Sequence, residues 1–179
     1  MRPWLVLMAT VLVLGASFAL LGSVIGMDSP WLMLLLMFDF LGIAKVAEPV
    51  FRLKMPRGLQ PVRRGERATR RLGVLGFGRF LRRSPLRYLN SAVYLDARHG
   101  DLNEVRLHAE YAEACHFWAA VLFTPYVLYA VLHRQWIVAA WFTLAQVLVN
   151  VYPILHLRLV RERLTRTLAR MARHQGTAP

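Results

Sequence analysis

Two residues near the start of a hydrophobic run form the most reactive side-chain combination in the chain. Glu113 and His116 are three positions apart, and on a helix this spacing puts both side chains on one face, close enough to interact. A carboxylate beside a histidine selects its tautomer and raises its basicity, which suits a general base that deprotonates a hydroxyl group. A histidine at a membrane surface beside a solvated glutamate has the same spacing, so the pattern alone leaves both interpretations open.

A second polar group lies near the end of the last hydrophobic run. Asn150 can hydrogen-bond to a neighbouring helix, and Pro153 frees backbone carbonyls of the preceding turn because it lacks an N–H. Arg158, Arg161 and Arg163 come next, and guanidinium groups bind phosphate through paired hydrogen bonds. Packing of Asn150 and attachment of the arginines to anionic lipid, at about 1 kcal/mol per charge, are the structural alternatives.

Two further residues have a structural and a functional interpretation. Asp39 interrupts the second hydrophobic run, where an ionised group costs about 3 kcal/mol or more and normally requires a partner. Alternatively, the helix ends early and Asp39 lies near the membrane surface. Cys115 is the only cysteine, which excludes an internal disulfide, and we expect it to be a packed, small apolar residue.

Several patterns of other enzyme classes are absent. The sequence has no Gly-x-Ser-x-Gly elbow, no P-loop and no zinc-like spacing among its six histidines. The glycines at 73, 76 and 78 lie outside the strand-turn-helix context of dinucleotide-binding folds. We therefore expect no metal and no bound cofactor.

The composition is that of a membrane protein. The 179 residues are 56% hydrophobic and yet carry a formal net charge of +13, a combination that arises when apolar spans lie in lipid and the charge collects outside them. Because the basic segments adjoin hydrophobic runs, we do not expect a nucleic-acid partner. We expect membrane lipid to be a partner of the chain.

Four hydrophobic runs predict an all-α integral membrane protein with two transmembrane hairpins. The predicted spans are 3–27, 31–50, 117–132 and 136–157. The first has 25 residues, roughly 37 Å of helix, and can cross a hydrocarbon core of about 30 Å with some tilt. Turns are predicted at 27–30 and 133–135.

The chain accordingly divides into four parts. Residues 1–50 form an N-terminal transmembrane hairpin, 51–115 a basic cytoplasmic or interfacial segment, 116–157 a C-terminal transmembrane hairpin and 158–179 a basic amphipathic tail. Within the second part, 72–95 is basic and amphipathic and 101–115 has helical periodicity. In the tail, Val160, Leu164, Leu168 and Met171 fall on one side at helical spacing.

The distribution of basic residues predicts the orientation. Every arginine and lysine except Arg2, Lys45 and Arg134 lies in the middle segment or the tail. Basic segments remain on the cytoplasmic side, so we expect a multi-pass protein of the bacterial inner membrane with both termini in the cytoplasm.

The last third of the chain resembles a known family. Ala112-Glu113-Ala114-Cys115-His116-Phe117 is similar to the Ala-Glu-x-x-His-Trp stretch of bacterial glycosyl-diaponeurosporenoate acyltransferases. Asn150-Val151, followed by Arg158, Arg161, Arg163 and Leu164, resembles the ending of that family. The chain departs from it at Phe117 for Trp, at Leu157 for Gln and at His108 for an acidic residue. The similarity covers roughly residues 72–170.

The resemblance implies a membrane acyltransferase of carotenoid modification, which moves a fatty acyl chain to a sugar hydroxyl of a glycosylated carotenoid or a related glycolipid. In our interpretation, His116 acts as the base, Glu113 holds its ring and Asn150 binds the developing negative charge. Arg158, Arg161 and Arg163 bind the phosphates of an acyl thioester donor, with acyl-CoA as the expected co-substrate. The alternative is a non-catalytic membrane subunit or scaffold that binds anionic lipid or a partner complex.

Overall fold

The computed structural model describes residues 2–26, 29–56, 73–84 and 101–175, and its regular elements there are helices. In chain order they are α1 (Pro3–Ile25), α2 (Pro30–Phe51), α3 (Val74–Arg83), α4 (Leu102–Leu132), α5 (Trp136–Gln146), a π-helical segment (Val147–Val151) and α6 (Tyr152–Gln175). No strand occurs within these ranges, so the all-α prediction is confirmed for them.

Four helices are long and apolar enough to cross a membrane, as the hydrophobic runs predict. They are Pro3–Ile25, Pro30–Phe51, Leu102–Leu132 and Trp136–Arg173. The third and fourth are longer than predicted. No helix breaker separates 101–115 from the third run, so the two form the single helix α4, and the fourth continues through the π-helical segment into the basic tail.

The structure divides into two compact units. Unit 1 contains Met1–Lys54 and Ala114–Val151, and unit 2 contains Met55–Glu113 and Tyr152–Pro179. Unit 1 therefore holds α1, α2, most of α4, α5 and the π-helical segment. Unit 2 holds α3, the first turns of α4 and α6.

The first hairpin of unit 1 is antiparallel. Trp4 at the start of α1 contacts Phe51 at the end of α2, with ring centroids 5.1 Å apart. Pro3 opens α1, where its missing N–H costs nothing. Gly26 ends α1 with φ of 89°, a backbone conformation that glycine adopts readily.

The core of unit 1 joins α2, α4 and α5. Met37, Phe123 and Phe142 are buried together, and the rings of Phe123 and Phe142 meet edge to face at 5.7 Å. Small residues let helices approach closely in such bundles, and Ala44 and Ala119 do so here beside Cys115.

Asp39 and Cys115 are both buried in unit 1. Asp39 is 8% exposed and lies twelve positions before the end of α2 at Phe51, so the interpretation that the helix ends early is wrong. The Cys115 thiol faces the Ala44 carbonyl at 3.6 Å, which confirms that Cys115 is a packed residue.

The second hairpin turns where the sequence predicts it. Residues 133–135 connect α4 to α5, and Arg134 adopts a left-handed backbone conformation with φ of 58°. The Gln135 amide donates to the Ala130 carbonyl at 2.9 Å and closes the turn.

Unit 2 is built by packing α3 and the first turns of α4 against α6. Phe77 of α3 contacts Tyr152 of α6, with ring centroids 5.3 Å apart. Gly78 lies against the imidazole of His156, where a Cβ atom would come within 2.6 Å of Nδ1. Only glycine therefore fits this contact. Ala109 of α4 is buried against Leu157.

The tail helix is amphipathic over part of the predicted apolar face, because Met171 of that face is 47% exposed. Leu164 is buried and Leu168 is partly buried, whereas Arg166 and Arg170 are exposed. Residues 27–28 of the predicted turn at 27–30 lie outside the described residues. The same holds for 57–72 and 85–100 of the predicted basic segment 51–115, which include part of its amphipathic stretch 72–95.

Candidate functional site

In unit 1, His116 of α4 meets Asn150 of the π-helical segment. The Nδ1 atom of His116 lies 3.4 Å from Oδ1 of Asn150, across 34 residues of sequence. Asn150 is fully buried, whereas His116 is only partly buried. The imidazole can therefore meet a substrate while the amide that holds it is shielded from water.

A chain of hydrogen bonds continues from Asn150 and determines the direction of each donor. Asn150 Nδ2 donates to Gln146 Oε1 at 2.6 Å, and Gln146 Nε2 donates to the Ala120 carbonyl at 2.8 Å. Since Nδ2 is the donor of Asn150, its Oδ1 accepts, and His116 must donate from Nδ1–H. This network, His116–Asn150–Gln146–Ala120, is called the relay below.

The relay selects one tautomer of His116. With the proton on Nδ1, the lone pair is on Nε2, and a neutral imidazole has one donor and one acceptor nitrogen. An asparagine that orients a catalytic histidine in this way also occurs in cysteine proteases with a Cys-His-Asn arrangement. His116 is thus prepared to accept a proton at Nε2.

The π-helical segment exists where Pro153 interrupts the backbone hydrogen-bond ladder. Pro153 has no N–H, so the carbonyl four residues earlier, that of Val149, loses its α-helical donor. The Val149 backbone interacts instead with the imidazole of His116. Single π-helical turns are frequent at functional sites, and this one carries Asn150, whose Oδ1 faces His116.

In unit 2, Glu113 is held by two arginines of α6. Arg158 Nε donates to Glu113 Oε1 at 2.6 Å, and Arg161 Nη2 lies 3.3 Å from Oε2. The second contact is an ion pair without hydrogen-bond alignment, because Oε2 has no hydrogen-bond partner. The Glu113 side chain is fully buried, so the arginines neutralise a charge that water cannot reach.

That Glu113 holds the ring of His116 stays a prediction, because the contacts described for its carboxylate are with other residues. Both carboxylate oxygens of Glu113 face arginines, and the group that faces Nδ1 of His116 is Asn150. The predicted role of Asn150 as the donor to a developing negative charge loses support for the same reason, because its amide groups serve Gln146 and His116.

The three predicted arginines fall into two classes. Arg158 and Arg161 are mostly buried in ion pairs with Glu113, whereas Arg163 is exposed.

Two polar residues of the structure did not stand out in the sequence as site residues. Gln146 precedes Asn150 by four positions, a spacing that places both on one helical face and could have indicated the contact. His156 is 6% exposed, and its Nε2 atom is buried without a hydrogen-bond partner. Among the described residues, no cluster of histidine, cysteine and acidic side chains could hold a metal ion.

One comparison with known proteins finds a match, which is to a protein family. The model of a protein family described as glycosyl-4,4'-diaponeurosporenoate acyltransferase matches residues 52–170, which is well over half of the chain. The matched region includes Glu113, His116, Gln146, Asn150 and the arginines from Arg158 to Arg170 of α6, but neither α1 nor α2. No curated protein and no solved structure shows significant similarity to the chain.

Proposed function

Because the chain belongs to the glycosyl-4,4'-diaponeurosporenoate acyltransferase family, we propose that it transfers a fatty acyl group to a sugar hydroxyl of a glycosylated carotenoid or a related glycolipid. The family consists of acyltransferases, so the chain is an enzyme rather than a passive membrane subunit. The observation that carries the proposed chemistry is the relay that holds His116 in one tautomer.

His116 is the general base of the proposed reaction. Its Nε2 removes the proton from the sugar hydroxyl while the hydroxyl oxygen attacks the carbonyl carbon of the acyl thioester. A new C–O bond forms, the C–S bond breaks, and the proton passes from His116 to the departing thiolate. A positioned base of this kind contributes about 10²–10⁴-fold to the rate.

Asn150 and Val149 support the charged state of His116 during this step. When Nε2 takes up the proton, the imidazole becomes a cation, and an amide oxygen and a backbone carbonyl directed at the ring stabilise it. Asn150 is therefore a positioning residue in this proposal, and Glu113 acts only through the arginines that it holds.

The arginines of α6 are the proposed contact with the donor. The donor is an acyl thioester, with acyl-CoA as the proposed co-substrate, and guanidinium groups bind its phosphates by charge and by paired hydrogen bonds. Arg163 is exposed and contributes most directly. Arg158 and Arg161 provide the remaining positive charge around Glu113.

A membrane location supports this reaction because both proposed substrates carry long apolar chains. Four helices meet the length and hydropathy of membrane spans. We propose a multi-pass protein of the bacterial inner membrane with both termini in the cytoplasm, the side from which acyl-CoA arrives.

Purified protein tests the proposal directly. Wild-type enzyme in detergent or lipid nanodiscs, supplied with a radiolabelled acyl-CoA and a glycosylated carotenoid, should form a labelled ester and release free CoA in equal amounts. His133→Ala, at an exposed turn position, should react like the wild type, and His116→Ala should not. Absence of ester from wild-type protein with several thioester donors and glycolipid acceptors would refute the proposed reaction.

A further inference from the structure

Unit 1 contains a cavity that the proposed chemistry does not use. Its volume is about 490 Å³, within the range of about 300–1,000 Å³ that is typical of small-molecule sites. Four helices contribute to its wall, which includes Phe18 of α1, Met33 of α2, Tyr126 and Ala130 of α4, and Val138 and Phe142 of α5. The wall is predominantly apolar.

The cavity and the relay share one row of side chains on α5 and the π-helical segment. Val138 and Phe142 line the cavity, while Gln146 and Asn150 form the relay. These four residues are spaced four apart, so they form one ridge along the helix. An extended molecule beside this ridge would touch the relay at one end and the cavity at the other.

The distance between the relay and the cavity matches the length of one fatty acyl chain of a membrane lipid. Val138 and Phe142 precede Asn150 by twelve and eight residues, which is roughly 12–18 Å at the helical rise of 1.5 Å per residue. On α4, Tyr126 follows His116 by ten residues, or about 15 Å. Because a hydrocarbon core of about 30 Å contains two layers of chains, one lipid acyl chain reaches about 15 Å.

We propose that this cavity holds the distal end of the donor's acyl chain and thereby determines which chain lengths the enzyme accepts. The proposal rests on the proposed function, because it places the thioester carbonyl beside His116. A saturated chain can rotate about each bond and bend along the ridge into a space of this volume. The distance of about 15 Å along α4 is that of one lipid acyl chain, so the acyl chain of the donor is the proposed occupant.

Val138→Phe tests the proposal with a matched control. Val138 lines the cavity and is only partly buried, so a larger side chain at the edge of the buried core cluster fills the cavity. The control is Ile137→Phe at the adjacent position, which is 87% exposed and does not line the cavity. Val138→Ala makes the opposite change and enlarges the space.

The first measurement compares kcat/KM for a series of acyl-CoA donors from medium to long chain. Val138→Phe should lower the ratio of long-chain to medium-chain kcat/KM by about tenfold or more, the range expected for small changes of fit in an apolar pocket. Val138→Ala should shift the preference towards longer chains. A chain-length profile of Val138→Phe that equals those of the wild type and Ile137→Phe would overturn the proposal.

The second measurement is independent of catalysis. Free long-chain fatty acid should raise the thermal unfolding temperature of the wild type and of Ile137→Phe, but not that of Val138→Phe, since a ligand that binds only the folded state stabilises it. Equal stabilisation of all three would show binding elsewhere and overturn the cavity assignment.

If the fatty acid discriminates between the variants but the wild type forms no ester, the cavity assignment is retained and the proposed reaction fails. An altered KM for the carotenoid with an unchanged donor profile would assign the cavity to the acceptor and overturn the proposal.

Discussion

His116 and Asn150 face each other at 3.4 Å although 34 residues separate them in the chain. The α4–α5 hairpin brings them together, and the π-helical segment turns Asn150 into the interior, where it is fully buried. A buried amide of this kind requires hydrogen-bond partners, and it finds them in Gln146 and His116. The geometry therefore depends on both helices of the hairpin.

Loss of the imidazole should remove most of the activity. We expect His116→Ala to reduce turnover by about 10²–10⁴-fold, with expression and thermal stability close to those of the wild type because His116 is only partly buried. The measurement is kcat with acyl-CoA and a glycosylated acceptor. His133→Ala is the matched histidine control, and near-normal turnover of His116→Ala would exclude His116 as the base.

Loss of the orienting amide should cost less than loss of the base. Asn150→Ala should reduce kcat by about 10–100-fold, the usual effect of removing a group that orients a functional histidine, and should change KM little. The double variant His116→Ala/Asn150→Ala should be no slower than His116→Ala, because the amide then has nothing to orient. A double variant that is slower by the full product of the two single effects would show that Asn150 acts independently of His116.

Arg163 should affect donor binding without affecting stability. Since Arg163 is exposed, Arg163→Gln should raise the KM for acyl-CoA and leave kcat and the unfolding temperature nearly unchanged, the signature of lost ground-state binding. Arg170→Gln, also exposed on α6, is the charge-matched control. An equal rise of KM in both variants would indicate general electrostatic attraction by the tail rather than a donor site.

The ion pair between Glu113 and Arg158 should matter for stability. Glu113→Gln should lower the free energy of unfolding by about 3 kcal/mol or more, because removing one partner of a buried pair leaves the other charge uncompensated. The exposed pair of Glu162 and Arg166 on α6 is the control, and Glu162→Gln should cost less than about 1 kcal/mol. Denaturant unfolding in detergent measures both, and similar small losses would contradict the structural role of Glu113.

The orientation in the membrane can be tested with reporter fusions. Reporters placed after residues 65 and 179 should both indicate the cytoplasm, since nearly all basic residues lie in the middle segment and the tail. A fusion in the turn at 133–135 should report the periplasm and serves as the positive control. A periplasmic signal at 65 or 179 would contradict the proposed topology.

Local sequence patterns were enough to predict the four long helices of this protein and most of its candidate residues. Hydropathy and helix breakers act locally, so four apolar runs and a turn at 133–135 were enough to predict the helices and the second hairpin. The Glu-x-x-His and Asn-x-x-Pro stretches also pointed to residues 113, 116 and 150, and the family match includes all three.

The partners of Glu113, His116 and Asn150 became visible in the packing of the helices. A spacing of three positions made Glu113 the expected neighbour of His116, but a fully buried carboxylate requires cations, and α6 supplies two of them from 45 and 48 positions away. The imidazole of His116 faces the side-chain amide of Asn150 instead. Asn150 lies in the π-helical segment, which precedes Pro153. Periodicity shows which residues share a face, whereas the partner of a buried polar group depends on which distant helix packs against that face.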